Sequence, residues 1–175
     1  MTIDGADAER RTAEWRAVGL VILALIGLGV SLALAAFQLG IVNEVWDPIF
    51  GNGAQRVLTS PISRALPVPD AVIGAAAYAV EAVLGTALVF GVRRAAIVAA
   101  TLAVASVMAA VVGIALAVAQ PVVAHAGCTL CLISTAVSVV LAAGASAEAR
   151  DRWPGWSGHD ERRPPAVSPL KEHHR

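Results

Sequence analysis

The sequence predicts an all-α membrane protein, a four-transmembrane-helix bundle with an outer-side loop lid between helices 1 and 2. Three observations lead there. Hydrophobic residues make up 57% of the chain and charged residues only 15%, a balance foreign to soluble domains. The apolar residues gather into four runs, 17–37, 71–92, 95–119 and 122–147. Each is about 20 residues or longer, the length at which a helix crosses roughly 30 Å of hydrocarbon. The arginines fall between the runs, where they report orientation. Net charge is zero, so no basic field points to nucleic acid as a partner.

Residues 1–14 mix acids and bases without apolar periodicity and read as a mobile cytoplasmic tail, ending at Trp15, an interfacial anchor. The four-helix domain then spans 15–147. Its first run is too long for a cleaved signal peptide and lacks a small-residue cleavage site, so it is expected to remain. Gly27 and Gly29 lie inside that run, where small residues permit close helix packing. The long loop 40–69 carries a polar start at Asn43, a turn-rich stretch from Pro48, and a short amphipathic helix expected from Gln55 to Ser60. Pro67, Pro69 and Asp70 announce the second span. The third loop is expected around Gln120. Residues 148–175 are expected to form a disordered cytoplasmic tail, since their prolines and paired arginines cannot bury a core.

Arg10, Arg11 and Arg16 precede the first span, Arg93 and Arg94 fill the second loop, and Arg150, Arg152, Arg162 and Arg163 follow the fourth. The positive-inside rule therefore predicts a multi-pass protein of the cell membrane with both termini cytoplasmic. The first and third loops then face outward, and Cys128 and Cys131 lie on the side where disulfides persist.

These two cysteines are the only ones in the chain. Three residues apart, they share one face of a helix that has just begun, and its unpaired N–H groups favour thiolate, the attacking species in disulfide exchange. Redox cycling is one reading; two small apolar side chains packed in a bundle is the other. Ser134, Thr135 and Ser138 continue a polar stripe, serving either the bundle interior or their own helix backbone. His125 offers a third ligand for a soft metal beside the two thiols, or is a plain solvent-facing loop residue, since no fourth ligand stands nearby. A redox-inactive membrane scaffold is a further alternative. Asp70 is placed to cap the second span, and Glu81 falls near mid-membrane. There it is either neutral and hydrogen-bonded to Thr101 or a serine, or part of a proton relay.

Val57-Leu-Thr-Ser-Pro61 with Ser63, Gly74 and Tyr78, and Cys128-Thr-Leu-Cys131 together resemble the vitamin K epoxide reductase family, over roughly residues 17–147. The family includes bacterial quinone-linked thiol oxidoreductases. The resemblance implies a membrane enzyme that uses a quinone, menaquinone or ubiquinone, as electron acceptor. Cys131 would reduce the quinone and Cys128 would exchange with thiols on the outer side. Ser60 matches the family's loop serine, Asp70 stands where the family can carry an asparagine on the quinone carbonyl, and Thr135 is a further candidate quinone contact. The implied donor is an extracytoplasmic thioredoxin-fold thiol protein or a small thiol. One departure matters: the family's two loop cysteines would fall at Trp46 and Ala54, and neither can relay electrons.

Overall fold

The computed structural model describes residues 3–61, 63 and 67–153. The expected tail beyond residue 153 lies outside the described residues. All regular structure among the described residues is helical: α1 (Ile3–Gln38), α2 (Gly53–Leu58), α3 (Asp70–Val89), α4 (Ala95–Ala119) and α5 (Thr129–Arg152). Four segments, Arg11–Gln38, Asp70–Val89, Ala95–Ala124 and Thr129–Arg152, are long and apolar enough to cross a membrane.

The loop helix lies two residues earlier than expected and α3 ends three residues short of its apolar run; three boundaries differ more. Helix α1 begins at Ile3 rather than after residue 14. Its first turns are rich in alanine, glutamate and arginine, good helix formers that extend a helix already nucleated by the apolar span. At about 1.5 Å per residue α1 is roughly 54 Å long and outreaches the hydrocarbon. The end of α4 also runs on, through a π-helical turn over Gln120–Ala124. Pro121 has no N–H to donate, and the wider π turn takes in its ring without ending the helix. The reversal therefore comes at His125, whose φ is 46°, and not at Gln120. Lastly, α5 continues past residue 147 to Arg152.

The helices form a ring in which α1 packs along α3 and α4 along α5, closed by α1 on α5 and α3 on α4. The core between them is built from small side chains, Ala17, Ala24, Ala82, Ala99 and Ala145, around Leu20, Leu102, Leu141 and Tyr78. Gly27 lets Tyr78 approach α1, because a Cβ there would occupy the space of the ring. Gly29 faces open space. At the end away from the cysteines, Glu148 of α5 is 1% exposed and held by Arg16 of α1 at 2.8 Å and by Arg152 at 2.6 Å. A carboxylate so deeply buried is sustained by such pairing. A second buried cluster caps the other end, where α2 lies over the start of α5: Leu34, Ala35, Ala54, Val57, Leu58, Ala71 and Cys128.

Candidate functional site

Cys128 and Cys131 are joined in a disulfide, with Cα atoms 5.2 Å apart. Cys128 is the N-cap of α5, extended at φ −130° and ψ 110°, and its Sγ accepts the backbone N–H of Cys131 at 3.2 Å. That N–H belongs to the unpaired first turn of the helix, which stabilises negative charge on Cys128 sulfur once the bond is reduced.

The sequence offered Cys128 as the thiol that exchanges on the outer side; in the structure that thiol is covered. Cys128 is 0% exposed beneath the loop. Two features seal it. Gly53 at the start of α2 meets the Gly127 carbonyl so closely that a Cβ at Gly53 would collide with it. Asp47 clasps the loop to α5: its Oδ2 accepts the Thr129 N–H at 2.9 Å, while Oδ1 accepts the Thr129 hydroxyl at 2.5 Å and the N–H groups of Ile49 and Phe50 at 3.1 and 3.0 Å. Burial alone raises a carboxyl's pKa, but these hydrogen bonds, the Thr129 hydroxyl foremost, outweigh it and hold Asp47 below the ordinary aspartate range. The two positions where loop cysteines would fall have opposite fates. Trp46 is 80% exposed, whereas Ala54 is fully buried in the cluster that contains Cys128.

Cys131 looks elsewhere. It lines a cavity of about 540 Å³ enclosed by α1, the lid, α3, α4 and α5. Most of the wall is apolar, from Leu34 and Leu58 to Ala109 and Leu116. Ile73 of α3 and Met108 and Val112 of α4 line it yet are about half exposed, so the cavity opens sideways between α3 and α4 on the bundle's lipid-facing flank. Ser60 and Thr135 both line it. The Thr135 hydroxyl donates to the Cys131 carbonyl at 2.9 Å and reaches that of Gly113 at 3.2 Å, so it is occupied by backbone. Deeper in, the Tyr78 hydroxyl donates to the Ser134 carbonyl at 2.6 Å and shares hydrogen bonds with the Ser134 and Ser138 hydroxyls.

Asp70 also lines the cavity, in the first turn of α3 rather than as its cap residue. Its Oδ1 takes three hydrogen bonds, from Gln38 Nε2 at 2.5 Å, the Ser63 hydroxyl at 2.7 Å and the Ala71 N–H at 2.9 Å. Gln38 Oε1 meanwhile accepts the Ala71 N–H at 3.2 Å. The carboxylate therefore knits α1, the lid and α3 together at the cavity's upper wall.

His125 is exposed, unlike the buried Cys128, and among the described residues no three metal-type side chains converge. Thr101 is exposed and bonded to its own helix at Ile97, so it is not the partner of Glu81. Ser106 faces Glu81 instead. Neither carboxyl oxygen of Glu81 nor the Ser106 hydroxyl has a hydrogen-bond partner among the described residues, and all three are buried. Sequence reasoning missed Asp47, Gln38 and Gln120. An aspartate followed by proline in a turn-rich stretch was the available signal for Asp47.

Comparison with known proteins returns one family: the vitamin K epoxide reductase family matches residues 18–145. A search of curated proteins finds no match.

Proposed function

The chain belongs to the vitamin K epoxide reductase family of membrane oxidoreductases, and from that premise we propose that it passes electrons from a thiol donor, through Cys128 and Cys131, to a quinone drawn from the bilayer. The observation that carries this reading is the division of the disulfide between two environments. Cys128 lies under the lid, and Cys131 lines the cavity that opens sideways. A cavity of about 540 Å³ falls in the range of small-molecule sites, roughly 300–1,000 Å³, and its mostly apolar wall suits a quinone ring.

In the first half-reaction a donor thiolate attacks Cys128 sulfur, forming a mixed disulfide and releasing Cys131 as thiolate. A second donor thiol resolves the mixed disulfide, leaving the donor oxidised and Cys128 and Cys131 reduced. In the second half-reaction the two cysteines give two electrons and two protons to the quinone, which leaves as the hydroquinone while the disulfide re-forms. The chain's residues hold the ring against Cys131 and keep bulk water away. Ser60 and Thr135 border the ring position. Asp70, as a carboxylate, accepts hydrogen bonds only and so favours the hydroxyl of the departing hydroquinone over the quinone carbonyl.

With no cysteine at Trp46 or Ala54, the donor must reach Cys128 itself. A small thiol needs only a gap in the lid; an extracytoplasmic thioredoxin-fold protein needs the lid displaced. The arginine distribution supports an outward orientation of this end. Purified protein given a dithiol and a short-chain quinone should consume quinone, followed by its absorbance, and both Cys128→Ser and Cys131→Ser should abolish this. Quinone consumption that survives either substitution sinks the proposal.

A further inference from the structure

Gln120 is the first residue of the π turn, 7% exposed, and it lines the cavity together with Cys131. Its side-chain carbonyl accepts the backbone N–H of Cys128 at 3.1 Å. A backbone donor can be met only by the oxygen of an amide, which settles which atom points to Cys128. The other half of the amide then faces away from the disulfide segment. Gln120 Nε2 donates no hydrogen bond to any described residue. It is also absent from the sealed, partnerless side-chain atoms, which are confined to Glu81 and Ser106. The amide nitrogen is thus neither sealed nor engaged by a described residue, and its residue is part of the cavity wall. The neighbouring Thr135 and Tyr78 hydroxyls are already engaged by Cys131, Ser134 and Ser138. An amide donor in an apolar cavity wants an acceptor, since leaving it unmet on ligand binding is costly.

We propose that Gln120 is a quinone ligand: its NH2 donates to a quinone carbonyl while its oxygen holds the Cys128 backbone. One amide thereby ties the substrate to the segment carrying the disulfide and aims the ring at Cys131. The inference rests on the quinone reading of the cavity. It adds a donor to a site whose Asp70 carboxylate is an acceptor.

Ubiquinone-1 is the probe, with steady-state turnover on a dithiol and equilibrium dialysis as the two readouts. Gln120→Glu keeps an acceptor for the Cys128 N–H and removes the donor. KM for ubiquinone-1 and its dissociation constant should rise about tenfold, equivalent to about 1.4 kcal/mol. Reduction of the disulfide by dithiol alone, followed by thiol counting, separates any effect of the new carboxylate on Cys128 and Cys131 from the loss of quinone binding. Gln120→Met, which loses both halves, should raise KM equally and also alter disulfide reduction. It carries the quinone readout if Gln120→Glu does not fold. Wild-type KM and binding in a folded variant overturn the role of Gln120 and leave the quinone reading standing. Failure of the wild-type protein to bind or reduce ubiquinone-1 overturns both.

Discussion

Asp70 and Glu81 lie on one helix, yet their side chains have opposite fortunes. Asp70 accepts three hydrogen bonds at the cavity wall; Glu81 is 1% exposed and accepts none among the described residues. Asp70→Asn keeps an acceptor for Gln38, Ser63 and Ala71 and adds a donor that suits a quinone carbonyl. Its quinone turnover should stay within a few-fold of wild type. Asp70→Leu removes the acceptor, leaves the Ser63 hydroxyl proton unmet and Gln38 with Ser63 alone, and should lower turnover at least ~10-fold while the protein stays in the membrane. Normal turnover in Asp70→Leu would reduce Asp70 to a helix-terminus residue. For Glu81 the sign reverses. Glu81→Leu replaces an unsatisfied carboxyl by a hydrocarbon of similar size and should raise stability by ~1–3 kcal/mol, seen as a higher unfolding midpoint in detergent. A lower midpoint would mean that the carboxyl has a partner worth more than its burial costs.

At the scale of elements, the Asp47 carboxylate clasps the lid to the start of α5. In a Cys131→Ser background, where Cys128 is the only thiol, Asp47→Ala removes the clasp. Alkylation of Cys128 by a bulky maleimide should then run at least ~10-fold faster, since hydrogen bonds to a charged group are worth ~1.5–3 kcal/mol each. Equal rates would show that the Gly53 contact with Gly127 alone keeps the lid shut. The clasp also has a pH signature. The folded pKa of Asp47 lies below its ordinary value. Its contribution is therefore complete above the unfolded aspartate pKa of about 3.9 and is lost as pH falls through the lower folded value. Unfolding midpoints taken from pH 6 down to pH 3 should drop further for wild type than for Asp47→Asn, which has nothing to titrate there. Parallel curves would remove Asp47 from the acid response.

For the whole molecule, the bilayer sets the architecture, and the arginine distribution predicts its direction. Only helices and closed barrels satisfy backbone polar groups in hydrocarbon, so four apolar runs in one chain become a helical bundle. Arg11 and Arg16 lie at the start of the first span, Arg93 and Arg94 between α3 and α4, and Arg150 and Arg152 close α5. An enzyme reporter active only outside the cytoplasm should work when inserted at Gly51 of the lid loop and fail when fused at Arg175. The reverse pattern would put the disulfide on the reducing side and remove the oxidoreductase reading.

The sequence by itself determined the four spans, the short helix in the first loop, and the cysteine pair at the start of the last helix. Each is written locally, in hydropathy, spacing and turn residues, and a bilayer reads such one-dimensional patterns almost directly. It misplaced the α4–α5 reversal, because Pro121 sits in a π turn that runs on from α4 and lies against α2. It expected a lid from the loop between helices 1 and 2, but nothing near residue 128 announces that the lid buries Cys128. The contacts that decide the site join residues far apart in the chain: Asp47 to Thr129, Gln38 to Asp70, Tyr78 to Ser138 and Arg16 to Glu148. A hydrogen bond between distant residues leaves no periodicity to read. Which cysteine is buried, which one meets the cavity, and which polar group lacks a partner are consequences of how the helices pack, and only the tertiary structure decided them.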